Sequence, residues 1–185
     1  LVVTGELIIE ENGSINVSGK GYSGGLPNTP DVNLINGATL GNVRENGAIA
    51  QGDASGKAQG GSHGGLGGFT SGKKYGNMYV PFLPGGGGGR GHYSMGAGGH
   101  GGGAVRIEAR TIRLDGHIYA NGITGSGDSG QDFYGGGGGA GGSILLQPLP
   151  EIANYRGKDE NVGGDGKTLM LTSNLRDKNQ WRNIH

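Results

Sequence analysis

Basic and aromatic side chains gather in two neighbouring stretches, Lys73, Lys74 and Tyr75, then Arg90, His92 and Tyr93. Along a groove they would suit polysaccharide breakdown, where a base takes an α-proton or paired carboxylates cleave the glycosidic bond. A solvated loop is the plainer account of the same residues. Tyr93, Tyr119 and Tyr134, if turned outward, would suit glycan binding without catalysis. The five histidines, His63, His92, His100, His117 and His185, do not stand at metal-ligand spacing with a carboxylate between them, and three lie among glycines. Hydrogen bonding is the expected role, and no metal site is assigned. Gly87-Gly-Gly-Arg-Gly-His92 has the glycines of a phosphate loop, but no Gly-Lys-Ser/Thr follows it. Asp128-Ser-Gly-Gln-Asp132 offers two acidic residues where a calcium loop needs more, which leaves calcium open. No catalytic residue and no cofactor is assigned.

Positioning any of these groups falls to short apolar runs between glycine blocks. Val105 and Ile107, Ile112 and Leu114, then Ile118 and Ala120 sit two apart within each run, with Arg106, Glu108, Arg113, His117 and Tyr119 between or beside them. A period of two with mostly β-branched inward residues predicts strands with one buried face. The breaks fall at Arg110 and at Asp115-Gly116. Three short strands with no helix to carry a crossover suit the successive faces of one coil of a parallel β-solenoid. A hairpin meander is the alternative, since Asp-Gly also makes hairpin turns. Earlier, Leu1, Val3, Leu7 and Ile9 mark two short apolar runs. Gly13-x-Ile15-x-Val17-x-Gly19 has the spacing of Gly116-x-Ile118-x-Ala120-x-Gly122. Long excursions must leave and return between these copies.

Those excursions are rich in Gly, Asn and Ser, a composition that in isolation suits a linker. Each glycine ordered within regular structure costs roughly 0.5–1 kcal/mol relative to alanine. Close backbone approach would offset that cost. Extended segments near polyproline II geometry, a polyglycine II-type packing, could exchange N–H···O=C bonds side by side. The runs at 85–89 and 135–139 are the candidates, with tight loops against a solenoid wall as the other reading.

The whole chain has 185 residues, 47 of them glycine, and only 32% are hydrophobic, so side-chain burial alone is a thin source of order. Fifteen basic and fifteen acidic residues cancel, which leaves no electrostatic footprint for nucleic acid and favours self-association. Without cysteine there is no disulfide framework. No apolar run reaches membrane-span length, and the chain reads as a segment or processed product of something longer.

Gly61-Ser-His-Gly-Gly-Leu-Gly-Gly68, Tyr75-Gly76 ahead of Pro81 and Pro84, the glycines at 85–89, Gly101-Gly-Gly-Ala-Val-Arg-Ile-Glu-Ala109, Leu114-Asp-Gly-His-Ile-Tyr-Ala-Asn-Gly122 and the block from Gly135 to Leu146 follow in an ordered succession. Together they resemble a module of large secreted or cell-surface glycine-rich proteins, similar to pectin-lyase-like right-handed β-helices. The glycine-rich extracellular region of anaplastic lymphoma kinase is a more distant likeness. The resemblance spans about residues 14–146 and implies an extracellular or cell-surface structural or adhesive module with no catalytic residue to carry over.

The expected architecture is therefore an all-β, parallel β-solenoid-like module over residues 1–150 with long glycine-rich insertions. Residues 151–185 form a strand and polar tail, an adapter to a next module or subunit. The expected function is self-assembly into fibres or a surface layer, with copies of the chain as partners. Leu1, Val3, Leu7 and Ile9 would meet Leu169, Leu171 and Trp181 of a neighbour. A carbohydrate-binding or polysaccharide-degrading β-helix, with an extracellular polysaccharide as partner, is the alternative.

Overall fold

The computed structural model describes residues 1–44, 48, 58–69, 73–91, 96–127 and 135–149, and the backbone of the two-residue strands at 155–156, 162–163 and 166–167. Alternation of apolar and polar residues makes the strands. Val2–Ile9 forms β1, Ser14–Asn16 β2, Ala104–Leu114 β3, His117–Tyr119 β4 and Ser143–Pro148 β5. Tyr155–Arg156 is β6, Val162–Gly163 β7 and Gly166–Lys167 β8. One sheet runs β1-β3-β5, all parallel, with β6 beside the far part of β3. β2 pairs with β4 in a small parallel sheet, and β7 with β8 in an antiparallel one.

The two copies of the spaced motif lie side by side, with Ser14 opposite His117, Ile15 opposite Ile118 and Asn16 opposite Tyr119. The turn that precedes each copy is shared. The N–H groups of Asp115 and Gly116 both donate to the Ile9 carbonyl, and that of His117 donates to Gly13. Behind the strands lies one small core of Ile9, Val105, Ile107, Ala109, Ile112, Leu114, Ile118, Ala120, Ile144 and Leu146. Ile107, Leu114 and Ile118 are its most fully enclosed large residues. Val3, Leu7, Ile15 and Val17 pack against it half-buried, because β1 and β2 are the last strands on their side.

This is not the β-solenoid that the sequence suggests. The sheets are small and open, and none coils or closes. Two of the three expected solenoid faces are one strand, since Ala104 to Leu114 runs on through Arg110 with only a change of register opposite β1. Between β2 and β3, and again between β4 and β5, the described residues add no further strand. The physical reason is the glycine content: a stacked coil needs branched side chains to pack rung on rung, and glycine brings none.

The glycine-rich residues order themselves differently. Along 85–90 the N–H groups donate at 2.8–3.2 Å, and the partner changes at every residue. Gly85 and Gly88 donate to Gly102 and Gly99; Gly86 and Gly89 to Ser62 and Gln59; Gly87 and Arg90 to Ala38 and Ile35. Each partner segment returns every third residue, the repeat of a polyproline II turn. The carbonyls of the same stretch accept from two more segments, Gly85 and Gly88 from Tyr22 and Gly25, Gly86 and Gly89 from Ala140 and Gly137. A strand in a sheet has two neighbours, whereas this chain has five.

The same three-residue spacing ties 136–142 to 120–126, through Gly136 to Ser126, Gly139 to Ile123 and Gly142 to Ala120. Such spacing leaves no room for side chains between segments. A methyl on Gly88 would land on the Gly137 carbonyl oxygen, and one on Gly98 on that of Gly88.

Candidate functional site

Three aromatic side chains meet inside the glycine-rich layer. His63 comes from Gly-Gly-Ser-His, where small neighbours let its ring turn inward, and it is buried. Its Nδ1 donates to the Gly141 carbonyl at 2.9 Å, which leaves Nε2 as the acceptor of a neutral ring. Gly76, at φ +101°, closes over the Nε2 side at a distance a side chain would crowd. Tyr75 tilts against the imidazole with centroids 5.0 Å apart, and Tyr22 meets Tyr75 edge-on at 6.1 Å. The Tyr75 N–H donates to the His63 carbonyl, and its hydroxyl donates to the Pro84 carbonyl at 2.7 Å.

Burial dominates the electrostatics of this cluster. It lowers the His63 pKa, only partly opposed by the bond to Gly141. Burial also raises Tyr75 beyond the ordinary phenol range, helped by the neighbouring Tyr22 and opposed by a bond with Thr39. The lowered pKa makes His63 a weak base, and the Tyr75 hydroxyl stays protonated and bonded to the Pro84 carbonyl. Their partners lie on segments 59–63, 83–85 and 141–142, so the cluster ties together backbones that have no side chains of their own to lock them.

Arg44 does similar work at the edge of the layer. Its Nη1 donates to the carbonyls of Gly24, Leu34 and Asn36, and its Nη2 to the Ser23 hydroxyl at 2.8 Å. One guanidinium thus closes the ends of two segments.

Of the residues suggested for polysaccharide cleavage, the described ones do not share one surface. Lys73 and Lys74 are exposed, whereas Tyr75 is turned into the layer. Arg90 lies back against the Thr29 carbonyl at 3.4 Å. His92, Tyr93 and Tyr134 fall outside the described residues, as do Leu169, Leu171 and Trp181. Among the described residues no three His, Asp or Glu side chains converge as a metal site would require, and no helix is long and apolar enough to cross a membrane.

Tyr119 stands on the outer face of β4, its ring stacked on His117 at 5.4 Å and 17°. Asn16 lies opposite it and Ser14 opposite His117, so the outer face of the β2–β4 pair is polar and aromatic. Of the residues named for assembly, Ile9 is in the core, and Val3 and Leu7 lean on it. Leu1 is exposed at 65%.

No family model, no curated protein and no solved structure matches this chain.

Sequence reasoning gave His63 its hydrogen-bonding role but missed the Tyr22–His63–Tyr75 cluster and Arg44. The signal within reach was Tyr75-Gly76, an aromatic beside a glycine, just before the run at 85–89. Nothing in the spacing tells that Tyr22, some fifty positions earlier, meets it.

Proposed function

We propose that this chain is an extracellular structural or adhesive module that assembles with copies of itself, as fibres or a surface layer. The observation that carries this reading is the glycine-rich layer, where one buried backbone bonds to five others and the interior holds main chain in place of side chains. Such packing resists bending in every direction across the segments, as a building block requires, and leaves the titratable cluster within it holding backbones together. Zero net charge removes long-range repulsion between copies. The extracellular setting rests on the resemblance to secreted and cell-surface glycine-rich proteins. Light scattering and electron micrographs of the purified chain test the reading: mass rising with concentration supports it, and a monomer throughout overturns it.

A second reading, carbohydrate binding, is favoured by one observation, the stacked His117–Tyr119 pair with Asn16 and Ser14 beside it. Flat aromatic faces flanked by hydrogen-bonding groups suit sugar rings. A glycan array that lights up for the native chain and goes dark for Tyr119→Ala supports it; equal signals from both remove it.

A further inference from the structure

We propose that β1 is a self-complementary edge through which two copies of the chain pair antiparallel about Gly5. This deepens the self-assembly reading and rests on it, and it names the surface and the partner.

β1 is the last strand of its sheet, and among the described residues only β3 pairs with it. The carbonyls of Leu1 and Ile9 accept from Glu108 and Asp115 of the β3 side. By alternation Val2 and Ile8 turn their main-chain groups to the open edge. An unpaired, apolar edge is a template for another strand. Val2 is 66% exposed and Ile8 42%, while Val3 and Leu7, on the inner face, are only half-covered.

The order of residues along β1 says which strand fits. Leu1-Val-Val-Thr-Gly-Glu-Leu-Ile-Ile9 reads apolar, apolar, apolar, Thr, Gly, Glu, apolar, apolar, apolar. The pattern is symmetric about Gly5. Set antiparallel on a copy of itself with Gly5 facing Gly5, the strand puts Val3 opposite Leu7 and Leu1 opposite Ile9 on the inner face. Val2 falls opposite Ile8 and Thr4 opposite Glu6 on the outer face. Every apolar residue meets an apolar residue, and the two Glu6 carboxylates are not opposed. A two-fold contact requires this self-complementarity, because the same patch serves both partners. It gives a pair, the unit from which a larger array would be built through other surfaces.

Gly5 itself points the same way. Its φ is not left-handed, and a Cβ there would meet nothing within 4 Å. Most of the described glycines are held by carbonyls pressed against them, but no described atom of the chain requires this one. The register opposite β3 shifts between Val3 and Glu6, so Gly5 lies at the irregular middle of β1; facing its own copy, its Cα would stand about 4.5–5.5 Å from its mate's, the range of the two kinds of antiparallel pair.

The absence of cysteine makes the test clean. Gly5→Cys has open space for its side chain, and either kind of antiparallel pair brings two such cysteines to a Cα separation that a disulfide can span. Under mild oxidation the full chain carrying Gly5→Cys should run as a covalent dimer reversed by reductant. Leu66→Cys, an exposed control away from the strand, should stay mostly monomeric. Val2→Lys with Ile8→Lys should weaken the native dimer at least tenfold by light scattering while the circular dichroism is unchanged. If the native chain self-associates but Gly5→Cys does not cross-link above the control and the double lysine variant associates normally, the β1 contact is wrong and the self-assembly reading survives. A native chain monomeric at every concentration overturns both.

Discussion

The sheet core and the glycine-rich layer keep the same chain ordered by opposite means. Around Ile107, Leu114 and Ile118 the side chains project from the face of hydrogen-bonded strands and pack together into a core. Around Gly86, Gly88 and Gly98 side chains are absent, and carbonyl oxygens sit where a Cβ would go. One region is stabilised by apolar area removed from water, the other by main-chain hydrogen bonds made in several directions at once. The two should therefore fail under opposite mutations. Enlarging a residue damages the layer, and shrinking one damages the core.

The largest effect is expected from Gly88→Ala. The added methyl collides with the Gly137 carbonyl, and the segments cannot separate without breaking several bonds in register. The loss should exceed the ~1–3 kcal/mol usual for overpacking, enough to prevent folding or to lower the urea midpoint sharply. Gly65→Ala is the control. Nothing lies within 4 Å of its added Cβ, and the stability should hold or rise by up to ~1 kcal/mol through the reduced entropy of the unfolded chain. Equal effects at both positions would mean that the layer is not held by backbone contact.

In the core the sign reverses. Ile107→Ala leaves a cavity beneath β3 at a fully enclosed position and should cost ~2–5 kcal/mol. Ala104→Ile, at the exposed start of the same strand, should change stability by less than about 0.5 kcal/mol. Denaturant melts of the two variants check whether the alternation along β3 marks the buried face.

That alternation was the legible part of the fold. Val105 to Leu114 and the paired motifs at Ile15 and Ile118 announce strands with one inward face, because a period of two is a local property of the backbone. The solenoid did not follow from it, since parallel strands with short turns occur in open sheets as well as in coils. What separates the two is whether intervening residues keep supplying branched side chains, and in residues 20–103 they largely do not. For the layer, composition says only that backbones can approach. Which ones do is a matter of three-residue registers between segments far apart in sequence, such as Gly86 with Ser62 and Ala140 with Gly86. One glycine run looks like another, so no residue type encodes that choice. The candidate site was hidden for the same reason, as Tyr22, His63 and Tyr75 are brought together only by the layer.

In the aromatic cluster the layer borrows the means of the core, and its removal should cost less than either change above. Tyr75→Phe keeps the ring against His63 but leaves the Pro84 carbonyl without its donor. A loss of ~1–2 kcal/mol is expected for one half-buried hydrogen bond. A loss as large as that of Ile107→Ala would place the cluster, rather than the backbone bonds, at the centre of the layer's stability.

The smallest effect should come from protonating His63, and it distinguishes the two regions because the core has nothing to titrate. Burial holds the folded-state pKa below the ordinary histidine value of about 6.5, so in the window beneath that value the unfolded chain binds the proton more readily than the folded one. Stability is then fully present above pH 6.5 and is lost as pH falls toward the folded-state value. The urea midpoint of the native chain should drop between pH 7.5 and 5.5. His63→Gln, which keeps a side-chain donor for the Gly141 carbonyl but carries no titrating ring, should be less stable at pH 7.5 and show a shallower slope. An unchanged slope in that variant would mean that the acid sensitivity comes from elsewhere and that His63 contributes only its hydrogen bond.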